Sequence, residues 1–147
     1  MKFTWSDVES AASSIIDEML VDEWKPDYVA GVVPDGIVPA MLISDRLRIP
    51  VYTIERDEIV AWMPEDAIGY NCPKKKILVV VGDTGDGDVK RVKDDWEISG
   101  TSEICNAWGN NVRFAAISGL IEDVNDIHYM HYLNEYKMLL RFPWQSQ

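Results

Sequence analysis

Cysteine and histidine are scarce in this chain, two of each among 147 residues. Cys72 and Cys105 match neither a zinc-ligand spacing nor a disulfide framework, so the chain reads as cytoplasmic with free thiols. His128 and His131 stand three apart, as two metal ligands on a helix would, but no third ligand accompanies them. An aromatic surface or core segment is the better reading there. No apolar run approaches the roughly 18 residues of a membrane span. The opening Met1-Lys2-Phe3-Thr4-Trp5-Ser6-Asp7 turns polar before a signal-peptide core can form. Positive charge is also short: 14 Lys and Arg face 25 Asp and Glu, a formal net charge of −11. Nucleic acid and anionic membrane are therefore poor partners. The dense basic run Lys74-Lys75-Lys76 reads as a solvated strand entry, with a phosphate-facing role as its alternative. No serine or cysteine is placed with a base as a nucleophile would be. Internal repeats, low-complexity tracts and linkers are missing too, so residues 1–147 read as a single domain, long enough to bury a core.

What is present is an alternation of apolar runs and helical periodicity. Ser6 with Glu9 fits a capping box, and Val8, Ala12, Ile15, Ile16, Met19 and Leu20 follow at helical spacing. Lys25-Pro26-Asp27 ends that pattern. Tyr28-Val29-Ala30-Gly31-Val32-Val33 is apolar throughout, as a strand covered on both faces would be. A helix follows Pro34-Asp35-Gly36, with Val38, Met41, Leu42 and Leu47 on one side. A strand, Val51-Tyr52-Thr53-Ile54, completes a βαβ unit. Residues 55–76 are irregular and fit either a lid over a site or a plain hairpin. Ile77-Leu78-Val79-Val80-Val81 is a second buried strand, and a helix carrying Val89, Val92 and Trp96 follows its loop. Residues 97–111 are polar and mixed, with helical character around 104–108. Strands are expected from Val112 to Ser118 and over Met138-Leu139-Leu140-Arg141-Phe142. The fold class is α/β: a mostly parallel twisted sheet flanked by helices.

Two loops stand at the carboxyl ends of buried strands, where such sheets bind ligands. In Pro34-Asp35-Gly36, a glycine before a helix lets amides face an anion, while Asp35 opposes one. In Asp83-Thr84-Gly85-Asp86-Gly87-Asp88, glycines suit a phosphate cradle, and three carboxylates suit a divalent cation or ribose hydroxyls. The spacing is not that of an EF-hand. Each loop also fits a purely structural turn.

The order of these pieces resembles the type I phosphoribosyltransferases, in particular the small purine or xanthine-type members. Lys25-Pro26-Asp27-Tyr28-Val29-Ala30-Gly31-Val32 with Gly36-Ile37-Val38-Pro39-Ala40 looks like their first strand, pyrophosphate loop and helix. Arg48-Ile49-Pro50-Val51-Tyr52-Thr53-Ile54 looks like their second strand. Lys75-Lys76-Ile77-Leu78-Val79-Val80 and the following loop stand where their phosphoribosyl-diphosphate (PRPP) motif stands. Val112-Arg113-Phe114-Ala115-Ala116 looks like a late core strand, and Leu140-Arg141-Phe142-Pro143-Trp144 like the C-terminal ending. The resemblance implies a phosphoribosyltransferase-like domain with a small C-terminal hood. It further implies transfer of phosphoribosyl from PRPP to a purine-type nucleobase with magnesium and release of pyrophosphate, and it allows a homodimer. Asp83 and Asp86 would then stand at the reacting ribose, and Asp83 and Asp88 toward magnesium. Pro34, Asp35, Gly36, Thr84, Gly85, Gly87 and Asp88 would contact the substrate, Thr84 and Gly85 at its 5′-phosphate. Tyr129, Tyr132 or Trp144 would stack on the base.

The chain departs from the family at the chemistry. Pro34 and Asp35 replace a basic or small residue and a glycine. An ungapped alignment puts Val81 and Gly82 on the paired acids that hold the ribose hydroxyls, and Asp86 and Val89 on threonines that bind the 5′-phosphate. Shifting the register by two matches Asp83-Thr84-Gly85 to the family's Asp-Thr-Gly but still omits the acid pair. Two further readings stand beside the enzyme: a non-catalytic relative that binds a nucleotide-like ligand or a protein partner, and, ranked last, an acidic-loop metal-binding module.

Overall fold

The structure is a computed structural model that describes residues 1–54, 76–87, 89–90, 92 and 112–145. Residues 55–75 of the proposed 55–76 lid, both cysteines, the mixed segment 97–111 and Asp88 lie outside the described residues.

Helix α1 spans Trp5–Val21. Its cap is set two residues earlier than Ser6 and Glu9 suggest. The Thr4 hydroxyl accepts from the Asp7 amide at 3.1 Å, and the Asp7 carboxylate accepts from the Thr4 amide at 2.7 Å. Asp7 is short enough to close this box, and its carboxyl is held below the usual range chiefly by the Thr4 amide. The apolar stripe Val8, Ala11, Ala12, Ile15 and Met19 turns inward.

Strand β1 (Tyr28–Val32) leads into α2 (Ile37–Leu47), then β2 (Val51–Ile54). The α2 face differs from the expected one: Pro39, Ala40, Ile43 and Ser44 are buried, while Met41 is exposed. Small residues face the sheet because α2 lies close to it; a Cβ on Gly31 would stand 2.9 Å from the Ala40 Cβ. Strand β3 covers Ile77–Asp83 and β4 covers Val112–Gly119. Strand β5, Tyr129–Leu133, is the element that aromatic composition concealed.

The five strands form one sheet in the order β2-β1-β3-β4-β5, and every pairing is parallel. Alternation divides the central strand between two cores. Leu78 and Val80 join Ala12, Ile15, Val29 and Ile43 beneath α1 and α2. Ile77, Val79 and Val81 join Ala30, Val32, Phe114 and the helical residues Val89 and Val92 on the other side. Burial on both faces explains why these strands read as unbroken apolar runs.

The expected strand over residues 138–142 does not form. The sheet edge beyond β4 is already taken by β5, and the tail is tied instead to the N-terminus. An isolated bridge joins Lys2 to Arg141, and the Phe3 amide donates to the Arg141 carbonyl at 2.8 Å. Phe142 stacks between Phe3 and Trp144 at 5.3 and 4.9 Å.

Candidate functional site

The sheet order places the site. From β1 the chain moves outward to β2, then returns to β3 on the other side of β1. The loops leaving β1 and β3 therefore diverge at a topological switch point, where open parallel sheets leave a crevice. Both glycine–aspartate loops border it, as the strand ends predict.

The first loop is held tightly. The Val33–Pro34 peptide is cis. The Val33 amide donates to the Ile54 carbonyl at 2.9 Å, and the Gly36 amide to the Val32 carbonyl at 2.8 Å. Gly36 caps α2 and lies against β3: a Cβ there would be 2.1 Å from the Val80 carbonyl oxygen. No side chain fits that approach. The Asp35 carboxylate accepts from Trp144 Nε1 at 3.0 Å and from Gln145 Nε2 at 3.1 Å, so the C-terminal tail fixes its direction. Gly82 leaves the room Asp35 needs, since a Cβ at 82 would stand 2.4 Å from the Asp35 Cβ.

The second loop is a short 3-10 turn, Thr84–Asp86, closed by Gly87 in the left-handed region. Asp83 ends β3, pairs with Ser118 of β4 and accepts from the Ser118 hydroxyl at 2.9 Å. Thr84 is 5% exposed. Its hydroxyl donates to Asp123 at 2.8 Å and accepts from the Leu120 amide at 2.9 Å. Those bonds fasten the turn to the segment after β4 rather than presenting Thr84 to the crevice. Gly85 is open to solvent beside the Asp83 carboxylate. Asp86 contributes its backbone to the turn, and its side chain, like Asp88, lies outside the described residues.

A cleft of about 290 Å³ opens between the loops and the tail. It is lined by Asp35, Asp83, Lys137, Leu140, Phe142 and Gln145, with Met138 and Leu139 at its rim. Of the residues expected at a ligand, Asp35 and Asp83 thus meet in one cleft; Gly85 lies beside Asp83 and Trp144 bonds Asp35, while neither they nor Gly36 line it. Tyr129 does not join them. It is 1% exposed, packs beside Trp24 in the core under α1, and bonds Arg113 at 2.6 Å and Asp22 at 3.0 Å. Tyr132 packs against Phe3. His128 spends Nδ1 on the Phe114 amide at 3.0 Å, and His131 lies on a strand, so the two histidines share no helix face. A larger open depression of about 960 Å³ runs along the serine- and acid-rich side of α1, apart from both loops. The loops outweigh its size because they alone stand at the switch point.

Ser118, Lys137 and Gln145 were not anticipated. Ser118 carries a signal, being at the carboxyl end of the strand next to β3. Lys137 and Gln145 carry none, because the tail's path over the crevice is set by distant aromatic packing.

Two carboxylates opening on one cleft suit a magnesium ion that fills its shell with ligand oxygens and water. Among the described residues no three histidine, cysteine or acidic side chains group as a protein-only metal shell. No helix among them is long and apolar enough to cross a membrane.

Sequence comparison matches the chain to no family profile and to no curated protein. Solved structures are similar in fold. A purine phosphoribosyltransferase from Pyrococcus horikoshii superimposes with a TM-score of 0.69 at 19% identity, over 100% of this chain and 95% of that one. A Helicobacter pylori xanthine-guanine-hypoxanthine phosphoribosyltransferase gives 0.67 at 15% identity, over 99% and 92%. A hypothetical protein from Neisseria gonorrhoeae with bound ppGpp gives 0.64 at 17% identity, over 99% and 90%. The fold is that of the type I phosphoribosyltransferases.

Proposed function

We propose that the crevice between residues 33–36 and 83–87 binds a phosphoribosyl ligand, and that the chain transfers phosphoribosyl from PRPP to a purine-type nucleobase with release of pyrophosphate. The observation that carries this reading is the meeting of Asp35 and Asp83 in one cleft at the switch point. The work required is electrostatic and positional. An oxocarbenium-like carbon needs nearby negative charge, and ribose hydroxyls need fixed acceptors. Asp83, oriented by Ser118, supplies the first acceptor, and Asp35, oriented by Trp144 and Gln145, the second. Magnesium, held by Asp83 with Asp35, would neutralise the diphosphate. Asp86 and Asp88 remain proposed contributors from the same loop. Met138, Leu139 and the half-buried Trp144 offer the apolar surface for a base. The chain is expected to act in the cytoplasm, in a purine-salvage type of reaction.

The test is a pyrophosphate-release assay with PRPP, magnesium and a panel of nucleobases, alongside calorimetry. Release with one base supports the transferase; no heat with PRPP and no release with any base refutes it. A second reading, a non-catalytic protein that binds a nucleotide-like ligand, is favoured by one observation: Val81 is fully buried and Gly82 has no side chain, so the end of β3 lacks an acid pair. Nucleotide binding without release selects it.

A further inference from the structure

The first loop has almost no free amides. Val33 and Gly36 spend theirs on the Ile54 and Val32 carbonyls, and Pro34 has none. Asp35 keeps the remaining one. Asp35 stands one residue before the α2 cap, so an anionic residue already adjoins the positive end of the helix. Gly36 offers no side-chain cap and Pro39 removes another donor from the first turn. Trp144 and Gln145 hold the carboxylate in place, and Gly82 makes the space for it.

We infer that Asp35 is a specificity-determining residue that bars diphosphate groups not neutralised by a metal from the β1 end of the crevice. The inference rests on the ligand site proposed above. A diphosphate arriving at this loop meets a fixed negative charge ahead of the loop's one remaining amide and the first-turn amides of Ile37 and Val38, with Asp83 on the opposite wall of the cleft. A ligand whose one phosphate lies at the β3 loop stands clear of Asp35 and brings a single charged group near Asp83. The crevice thus selects among anions by where they carry charge.

The experiment is calorimetric titration of the whole chain in EDTA with two probes, inorganic pyrophosphate and a purine nucleoside 5′-monophosphate. The variant is Asp35→Asn, which keeps the side-chain size and an oxygen for Trp144 and Gln145; its melting temperature checks that the tail stays bound. The wild type is expected to bind the monophosphate and to bind pyrophosphate weakly. Asp35→Asn is expected to raise pyrophosphate affinity about ten-fold or more, with no gain in monophosphate affinity, because Asp35 is also the proposed acceptor for the ribose hydroxyls of that probe. Unchanged pyrophosphate affinity with the monophosphate still bound overturns this inference alone. Absence of binding by either form to either probe overturns the proposed site and the inference with it.

Discussion

Alanine at position 82 puts a methyl carbon 2.4 Å from the Asp35 Cβ, 3.1 Å from the Phe142 ring and 3.2 Å from the Asp35 carbonyl carbon. None of the three can swing away freely: two belong to a loop tied by backbone bonds, and the ring is stacked on both sides. Overpacking of this kind costs about 1–3 kcal/mol, and the lower entropy of the unfolded alanine chain returns about 0.5 kcal/mol. The net loss expected for Gly82→Ala is about 1.5 kcal/mol, or about 3–6 °C in Tm for a domain of this length. Asp35→Gly removes the atom that clashes, along with the acceptor for Trp144 and Gln145. Alone it should cost about 2 kcal/mol through the lost charge-assisted bonds. In the double variant the new methyl enters the space Asp35 vacates. The two costs should then fall short of additivity by about 1.5 kcal/mol. Urea denaturation followed by tryptophan fluorescence measures all four proteins. A double variant that loses the sum of the single losses, within about 0.5 kcal/mol, refutes the idea that Gly82 exists to seat Asp35.

Tyr129→Phe removes the hydroxyl that accepts from Arg113 and donates to Asp22, and should cost about 2 kcal/mol in urea denaturation. Burial also holds the Tyr129 phenol above the usual tyrosine range. The folded chain therefore keeps a proton that the unfolded chain loses. That contribution is complete below about pH 10 and disappears as pH rises through the folded value. The stability gap between wild type and Tyr129→Phe should narrow over that window; a constant gap refutes the assignment. Thr84→Val leaves the Leu120 amide and Asp123 without their partner and should cost about 2 kcal/mol, whereas Thr84→Ser retains both bonds. Equal melting temperatures for the two would show that the turn is fastened some other way.

The scaffold was legible because its signals are local. β1 and β3 announce themselves as apolar runs, and α1 by the spacing of Val8, Ala12, Ile15 and Met19, because burial on fixed faces dictates those patterns. The loops were legible as positions for the same reason: a strand end in a parallel sheet is a defined place. β5 was hidden because Tyr129-Met130-His131-Tyr132 mixes core, edge and solvent positions within one strand and shows no clean alternation. Residues 138–142 misled in the opposite sense. They are apolar because they cover the crevice and pack on Phe3, and they make a single bridge rather than a ladder. Tyr129 was expected at the ligand as an aromatic near the C-terminus, yet its partners Arg113 and Asp22 come from separate elements that no local pattern joins to it.

Position 35 and position 82 explain each other in space, although they lie 47 residues apart. Taken singly along the chain, an aspartate in the first loop spoils an anion seat, and a glycine at the strand end deletes an acid. In the fold they pack directly against each other, and the missing side chain of one is the room occupied by the other. The Asp35 carboxylate stands on the loop beside a strand position without a side chain, and the C-terminal tail supplies the donors, Trp144 and Gln145, that hold it there. Under the proposed function this arrangement would keep negative charge available to a ribose while changing which anions can stand beside it. Steric fit between residues 35 and 82 and charge selection at residue 35 are separate physical properties. One can be tested by stability and the other by binding, and neither measurement depends on catalysis.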